Sequence, residues 1–125
     1  MDPHRLVPPH VHADEDEYAY VAAGTIGVRV GDEECEARQG SYLVRPRGVV
    51  HAFWNPGDDP ARTVEVVVPA GFEVFFEELA EAAAIGDAGQ IQQRRADLAV
   101  KYRLDYPTDL VPELKAKYGL KLIGE

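Results

Sequence analysis

The sequence predicts an all-β sandwich or barrel followed by a helical C-terminal segment, and two observations lead to this prediction. Residues 1–70 contain short runs rich in β-branched and aromatic residues, separated by glycine, aspartate and proline. Residues 71–125 contain apolar residues at helical spacing, with alanine and charged residues between them. The chain has 125 residues, the length of one domain. We therefore predict one domain made of a β unit (1–70) and a helical extension (71–125) packed on it.

Six runs in the first half are predicted strands. Gly31-Asp32 joins two of them as a tight hairpin turn would, and residues 55–61 form a turn between two others. Short strands at this spacing are typical of a sandwich or barrel, not of a parallel sheet with helices between its strands. The six runs are YAYVAAG (18–24), TIGVRV (25–30), EECEARQG (33–40), SYLVRP (41–46), HAFWN (51–55) and RTVEVVV (62–68).

Three segments of the second half have the spacing of helices, namely residues 72–84, 87–103 and 108–119. The third begins at a capping residue and ends at Gly119. We expect an apolar stripe on the first and the third segment to face the sheet. The stripes are Val74, Phe75 and Leu79 on the first, and Leu110, Leu114 and Tyr118 on the third.

The composition excludes several classes of protein. The net charge of −9 argues against a nucleic-acid partner, because phosphate binding needs clustered lysine and arginine. Cys35 is the only cysteine, so an internal disulfide is excluded and a reducing compartment is indicated. The chain shows neither an apolar run of about 18 residues nor a secretory signal. We expect a cytoplasmic protein that binds neither nucleic acid nor membrane.

Three histidines and one glutamate form a candidate metal site. His10 and His12 point the same way from one strand because a strand alternates its faces. Glu17 begins the next extended run, and His51 begins another. Each feature alone has an ordinary explanation, such as a solvated turn or a satisfied polar group. Together, three imidazoles and one carboxylate suit Fe, Mn, Ni, Cu or Zn and leave one or two coordination positions open.

The spacing of these residues resembles the two motifs of the cupin superfamily, and specifically the small quercetin-dioxygenase-like cupins. The first motif is Gly, five residues, His-x-His, three or four residues, Glu, six residues, Gly. The second is Gly, five residues, Pro-x-Gly, two residues, His, three residues, Asn. The matching residues are His10, His12, Glu17 and Gly24, then Gly40, Pro46, Gly48, His51 and Asn55. The chain departs from the pattern at His4, where the family has glycine, and only nine residues precede His10.

The resemblance implies a jelly-roll barrel around one divalent transition metal, held by His10, His12, Glu17 and His51. Glu17 could leave the metal and act as a catalytic base. The residues between His12 and Glu17 are then an exposed acidic loop. Strand alternation predicts six further residues on the pocket side, although core packing explains the apolar ones equally well. These are Ala19, Val21, Tyr42, Val44, Phe53 and Asn55. Arg45 and Arg47 could meet an anionic substrate or form exposed salt bridges.

The function we predict is a metal-dependent dioxygenase-type oxidoreductase acting on a small aromatic or polyketide-like molecule. The same site could act as a Lewis acid, giving isomerase, lyase or decarboxylase chemistry. A cupin that binds a metal or a small ligand without catalysis is the further alternative. The sequence does not choose between these alternatives, because fold does not fix function.

The short N-terminus predicts a homodimer. A sheet that lacks its outer strands presents an unpaired edge, which invites pairing with another chain. We expect residues 1–9, or the run at 62–68, to cover the partner's sheet. Three prolines in PHRLVPPH exclude that segment from the middle of a sheet. The tail helices are the alternative cover for the edge within one chain.

Overall fold

The computed structural model describes residues 1–84 and 86–125, and nine strands and three helices lie within them. The seven strands of the first half are β1 (Arg5–His12), β2 (Asp16–Ala23), β3 (Thr25–Val30), β4 (Glu33–Arg38), β5 (Tyr42–Arg45), β6 (His51–Trp54) and β7 (Arg62–Val68). The second half contains α1 (Glu73–Ala83), α2 (Ala88–Lys101), β8 (Leu104–Asp105), α3 (Leu110–Tyr118) and β9 (Lys121–Leu122). No helix in these two ranges is long and apolar enough to cross a membrane.

The strands form two sheets. The larger sheet has the order β4-β3-β6-β1, with β8 and β9 both on the far side of β1, and the smaller sheet has the order β5-β2-β7. Every pair is antiparallel except β1 with β9. Across the described ranges, no ladder of hydrogen bonds joins the two sheets into a closed barrel. The predicted all-β fold with C-terminal helices is confirmed, and each of the six predicted runs overlaps a strand.

The N-terminal segment is an interior strand, so the prediction that its prolines exclude it from the middle of a sheet is wrong. β1 pairs with β6 on one side and with β8 and β9 on the other. Its register with β6 is irregular between Val7 and His10, where Pro8 and Pro9 lie. On the other side, β9 ends opposite Leu6, and β8 pairs only with Val11 and His12. The prolines therefore sit where neither ladder needs their missing N–H groups.

The C-terminal tail covers the edge of β1 within the chain, but it does so with strands as well as helices. Leu122 pairs with Leu6, and Leu104 pairs with His12. Leu114 of α3 is fully buried and packs with Leu6 and Trp54 in one core cluster. The tail thus holds the strand that carries His10 and His12, and residues 1–9 are occupied within their own chain.

The first predicted helical stripe is partly wrong. Phe75 is buried and Leu79 packs against it in a cluster with Leu98 and Leu104. Val74 instead remains 40% exposed. Adjacent helix positions point about 100° apart, so Val74 and Phe75 cannot both face the sheet directly.

A close approach of backbone and indole fixes the packing of β3 on β6. Gly27 pairs with Trp54, and a Cβ atom at position 27 would lie 2.2 Å from the Trp54 ring. Glycine is required there for space and not for its backbone angles. The fully buried Trp54 also contacts Tyr118 of α3, with the ring centres 4.7 Å apart and the rings tilted by 30°.

Candidate metal centre

The structure brings together the four predicted metal ligands. His10 and His12 lie on β1, His51 lies on the neighbouring β6, and Glu17 reaches them from β2 of the smaller sheet. One donor atom from each residue lies within 4.8 Å of the others. All four residues are buried, with 1–8% exposure. Antiparallel pairing places His10 opposite His51, which explains why two residues so distant in the sequence meet.

The Nδ1 atom of each clustered histidine has a hydrogen-bond partner, and this contact turns Nε2 toward the cluster. His10 Nδ1 donates to the Pro8 carbonyl at 2.8 Å and His51 Nδ1 donates to the Val49 carbonyl at 3.3 Å. His12 Nδ1 lies 3.2 Å from Glu15 Oε2. Because these oxygens accept, each Nδ1 carries a proton, and Nε2 is the ring nitrogen that faces the cluster. Histidines that bind metals are held by outer partners in this way.

Buried polar atoms without a hydrogen-bond partner indicate whether a cation fits between the four side chains. Among the described residues, four buried side-chain atoms lack a hydrogen-bond partner, and two of them are Glu17 Oε2 and His51 Nε2. These two atoms lie only 2.7 Å apart. They face each other without a hydrogen bond of acceptable geometry, as two ligands of one cation do. The donor set therefore fits a divalent transition metal, and it does not select one.

The protonation states at the cluster also suit a cation. Burial, reinforced by the neighbouring His51, lowers the pKa of His10 to about 4. Burial by itself would raise the pKa of Glu17, but contact with His51 and the charge on Arg45 outweigh it and lower that pKa to about 2. At neutral pH His10 is neutral and Glu17 is ionised, the forms that bind metal.

Arg45 and Arg47, which the sequence left equivalent, have different environments. Arg47 lies at the surface and pairs with Asp16 at 3.0 Å. Arg45 is 1% exposed, with its guanidinium 4.7 Å from the centre of the Phe53 ring. It forms an ion pair with Glu65, and its Nε lies 3.9 Å from Glu17 Oε2 without a hydrogen-bond partner. Arg45 therefore places a fixed positive charge beside the cluster.

A cavity of about 1280 Å³ opens onto this cluster, and His10, His12, Glu17 and Arg45 form part of its lining. Most of its other walls are apolar, and many come from the helical half. Tyr106, whose pKa burial raises, lies with its ring centre 5.9 Å from that of His10. The main apolar wall residues are Phe53, Val67, Phe72, Phe75, Phe76 and Leu79.

Of the six predicted pocket residues outside the ligand set, Phe53 lines the cavity. The prediction is wrong for Tyr42 and Val44, which are 80% and 53% exposed on the opposite face of the smaller sheet. The register pairs Arg45 with Glu17, so Arg45 and Leu43 are the inward residues of β5.

The other three predicted pocket residues lie in the core or a turn. Ala19 and Val21 are buried, but they are not in the cavity wall. Asn55 holds the turn after β6, donating to the Asp59 and Met1 carbonyls and accepting from Gly57 N–H. A side chain whose hydrogen bonds are satisfied in this way supports the backbone and does not face a substrate.

The acidic loop between β1 and β2 is more structured than the sequence indicates. Asp14 pairs with Arg103 of the tail at 2.6 Å, and Asp16 pairs with Arg47. The Glu15 side chain is only 13% exposed and holds His12. The position of Glu15, three residues after His12, is the signal that could have revealed its role. Because four acidic residues follow one another here, the sequence does not show which of them turns inward.

Three comparisons with known proteins agree on the fold. The family described as cupin domain matches residues 1–67. The tetracenomycin polyketide synthase protein TcmJ of Streptomyces glaucescens is 36% identical over 69 residues, which is 55% of this chain and 46% of that protein. Protein SchB of Streptomyces halstedii is 37% identical over 62 residues, 50% of this chain and 45% of that protein. The matches thus span less than half of either relative.

Two solved structures show how far the likeness extends. TT1209 from Thermus thermophilus is 32% identical, with a TM-score of 0.53 over 55% of this chain and 66% of that one. KdgF from Halomonas sp. is 20% identical, with a TM-score of 0.55 over 59% of this chain and 66% of that one, and it supports the fold alone. The family match covers more than half of the chain and includes all four clustered ligands. The chain therefore belongs to the cupin domain family.

Proposed function

We propose that this cupin is a metal-dependent oxidoreductase of the dioxygenase type, acting on a small aromatic or polyketide-like molecule. The observation that carries the proposal is the placement of a buried His3Glu cluster in the wall of a large, mainly apolar cavity. A purely structural metal site is closed by its protein ligands, whereas a catalytic site opens onto space for a substrate.

A divalent metal held by His10, His12, Glu17 and His51 would supply Lewis acidity and, for Fe, Mn, Ni or Cu, access to redox chemistry. The chain's own residues supply the surroundings. Phe53, Phe72 and their neighbours exclude water from the cavity, which strengthens electrostatic interactions within it. The ionised Glu17 carboxylate can accept the proton of a phenolic or enolic hydroxyl brought beside it.

Arg45 supports the assignment of an anionic, planar substrate. Deprotonating a phenol or enol leaves a negative charge on oxygen, and the guanidinium of Arg45 lies in the same cavity wall as Glu17. Buried fixed charges stabilise such an oxyanion far more than charges in water do. The aromatic walls suit the flat faces of such a molecule. The likeness to a polyketide synthase protein, TcmJ, supports this substrate class.

The experiment measures metal content and O2 uptake together. Protein purified from metal-replete medium should contain close to one equivalent of a transition metal. It should consume O2 with polyphenolic substrates such as flavonols or polyhydroxylated anthraquinones. His51→Ala should lose the metal and the O2 uptake, whereas His4→Ala, on a half-exposed histidine paired with Asp58, should keep both.

Two outcomes would contradict the proposal. Substrate consumption at the same rate without O2 would establish Lewis-acid chemistry, such as isomerisation or decarboxylation, instead of dioxygenation. A metal content below about a tenth of an equivalent, with undiminished activity in His51→Ala, would place the active site elsewhere.

A further inference from the structure

One face of α2 forms part of the cavity wall on the side that the helical half supplies. Gln92, Arg95, Ala96 and Ala99 belong to this wall, and their spacing of three and four residues places them on one side of the helix. The two alanines leave space for a ligand, whereas Gln92 and Arg95 bring polar groups to it. This face of α2 therefore combines open space with a positive charge.

The guanidinium of Arg95 is free to meet a ligand. Arg95 is exposed, and it forms no ion pair within the part of the chain that the structure describes. By contrast, Lys101 at the end of the same helix pairs with Glu78. The chain contains 22 acidic residues and only 13 lysines and arginines, so an arginine that no carboxylate neutralises is unexpected. Its position in the cavity wall indicates a binding role.

The carboxylates that line the cavity from the helical half are already engaged. Glu73 accepts a hydrogen bond from the Gly71 N–H at 2.7 Å, and Asp105 accepts one from the Tyr106 N–H at 2.9 Å. Both acids therefore bind backbone donors and do not pair with Arg95. The charge of Arg95 remains available to an anionic group that enters the cavity.

Tyr106 connects Arg95 with the candidate metal centre. Its ring centre lies 5.9 Å from that of His10, with the two rings tilted by 30°. Burial raises the pKa of the Tyr106 hydroxyl, and the charge on Arg95 partly offsets this effect, so the guanidinium lies on the hydroxyl side of the ring. Thr108, in the same wall, adds a second hydroxyl. A flat molecule can therefore lie along Tyr106 with one end at the metal ligands and the other at Arg95.

We propose that Arg95, beside Tyr106, forms a second subsite of the cavity, which binds a carboxylate at the end of the substrate away from the metal. The inference rests on the proposed function, because the metal centre orients the hydroxylated end of the molecule. It narrows the substrate class to planar polyphenols that carry a carboxylate. A guanidinium can bind a carboxylate through two parallel N–H groups, and the Tyr106 hydroxyl can donate to the same group.

The test compares two ligands that differ in charge and hardly in shape. Rhein is a dihydroxyanthraquinone with one carboxylate, and its primary amide lacks the charge. Equilibrium dialysis against the protein as purified, read from the absorbance of the dye, gives a Kd for each ligand. Arg95→Gln should weaken the binding of rhein by about fivefold, the upper range for an exposed ion pair. The Kd of the amide should change by less than about twofold, because no ion pair is lost.

Arg94→Gln is the matched control. Arg94 precedes Arg95 on α2, but it is not part of the cavity wall, and its charge acts on Glu78. The substitution removes the same charge and should change the Kd of rhein by less than about twofold, since it acts only through the screened field. Arg95→Lys, which keeps the charge but not the planar fork of donors, should lose less affinity for rhein than Arg95→Gln does.

Three results would overturn the inference: no binding of rhein to the unaltered protein, an equal loss for rhein and its amide in Arg95→Gln, or the same loss for rhein in Arg94→Gln. Binding is measured without turnover, so its outcome is separate from that of the proposed function. An absence of O2 uptake together with a selective loss of rhein binding in Arg95→Gln would contradict the dioxygenase reaction and support the subsite.

Discussion

The smallest feature that shapes the metal site is the contact between Glu15 and His12. The carboxylate holds the proton of His12 on Nδ1 at 3.2 Å and so fixes both the tautomer and the ring orientation. Glu15→Gln should keep the fold and all four ligands but lower the metal affinity by about 10–100-fold. Competition with a chelating dye measures this change.

The neighbouring acid gives a matched control. Asp14 belongs to the same loop but pairs with Arg103 and touches no ligand. Asp14→Asn removes the same charge and should leave the metal affinity within about twofold, since it acts only through the screened field. Equal losses in the two variants would show that loop charge, and not the orientation of His12, determines the affinity.

The buried His10 should make the metal-free protein sensitive to acid. Its pKa is about 4 in the folded chain and 6.5 when unfolded, so the unfolded state binds the proton more readily. Above pH 6.5 His10 is neutral in both states, so folding is not opposed by its protonation. As the pH falls from 6.5 toward 4, mainly the unfolded state takes up the proton, and the folded state loses stability. The loss amounts to about 3 kcal/mol of unfolding free energy. Urea unfolding of chelator-treated protein at about pH 7 and about pH 4 measures it.

Two variants isolate the contribution of His10 from that of the carboxylates. His10→Gln should remove about 3 kcal/mol of the difference between the two pH values. His4→Gln should leave the difference unchanged, because His4 is half-exposed. An unaltered pH dependence in His10→Gln would mean that His10 is accessible to protons in the folded chain.

At the level of residues, the sequence identifies the four candidate metal ligands but not the residues that line the cavity. His10, His12, Glu17 and His51 are revealed by spacing, since the chemistry of a metal admits few residue types. The direction of β5 is not revealed, because both of its faces contain an apolar residue. Strand alternation alone led to the prediction that Tyr42 and Val44 face inward, whereas the inner face carries Leu43 and Arg45. Only the register with Glu17 shows that the charged side chain is the buried one.

Among the elements, α3 should contribute most to holding the ligand strand. Leu114 is fully buried against Leu6 of β1 and Trp54 of β6. Leu114→Ala should lower the free energy of unfolding by about 2–5 kcal/mol, through lost burial and the cavity left behind. Chemical denaturation measures the change, with Val100→Ala on the exposed side of α2 expected within about 0.5 kcal/mol of the unaltered chain. A similar small effect for Leu114→Ala would mean that α3 does not support β1.

The elements that the sequence predicts are those long enough to show a period. Strands of four to eight residues and helices of nine to fourteen repeat their pattern several times. β8 and β9 have two residues each, so no period can reveal them, and they exist only because β1 offers them an edge. The interior position of β1 was missed for a related reason. Proline disrupts a sheet only where its missing N–H group would have donated a hydrogen bond to the neighbouring strand. Whether such a bond is needed depends on strands elsewhere in the chain.

At the scale of the whole molecule, the two halves of the chain contribute different kinds of residue to the cavity. Residues before Val68 supply the four candidate metal ligands, Arg45 and Phe53. Residues after it supply Phe72, Phe75, Phe76 and Leu79. The family match also falls on the first half, residues 1–67. The candidate metal ligands and most of the cavity lining are therefore encoded in different parts of the chain.

This division has an evolutionary consequence. Substitutions in α1 and α2 can reshape the cavity without moving any side chain that binds the metal, because the helices meet the β unit through apolar packing. Ligand selectivity can then change through mutation of α1 and α2 while the candidate metal ligands are inherited intact. Natural variation, or a library built in the laboratory, should find altered selectivity most readily in α1 and α2, and altered metal binding between residues 8 and 55.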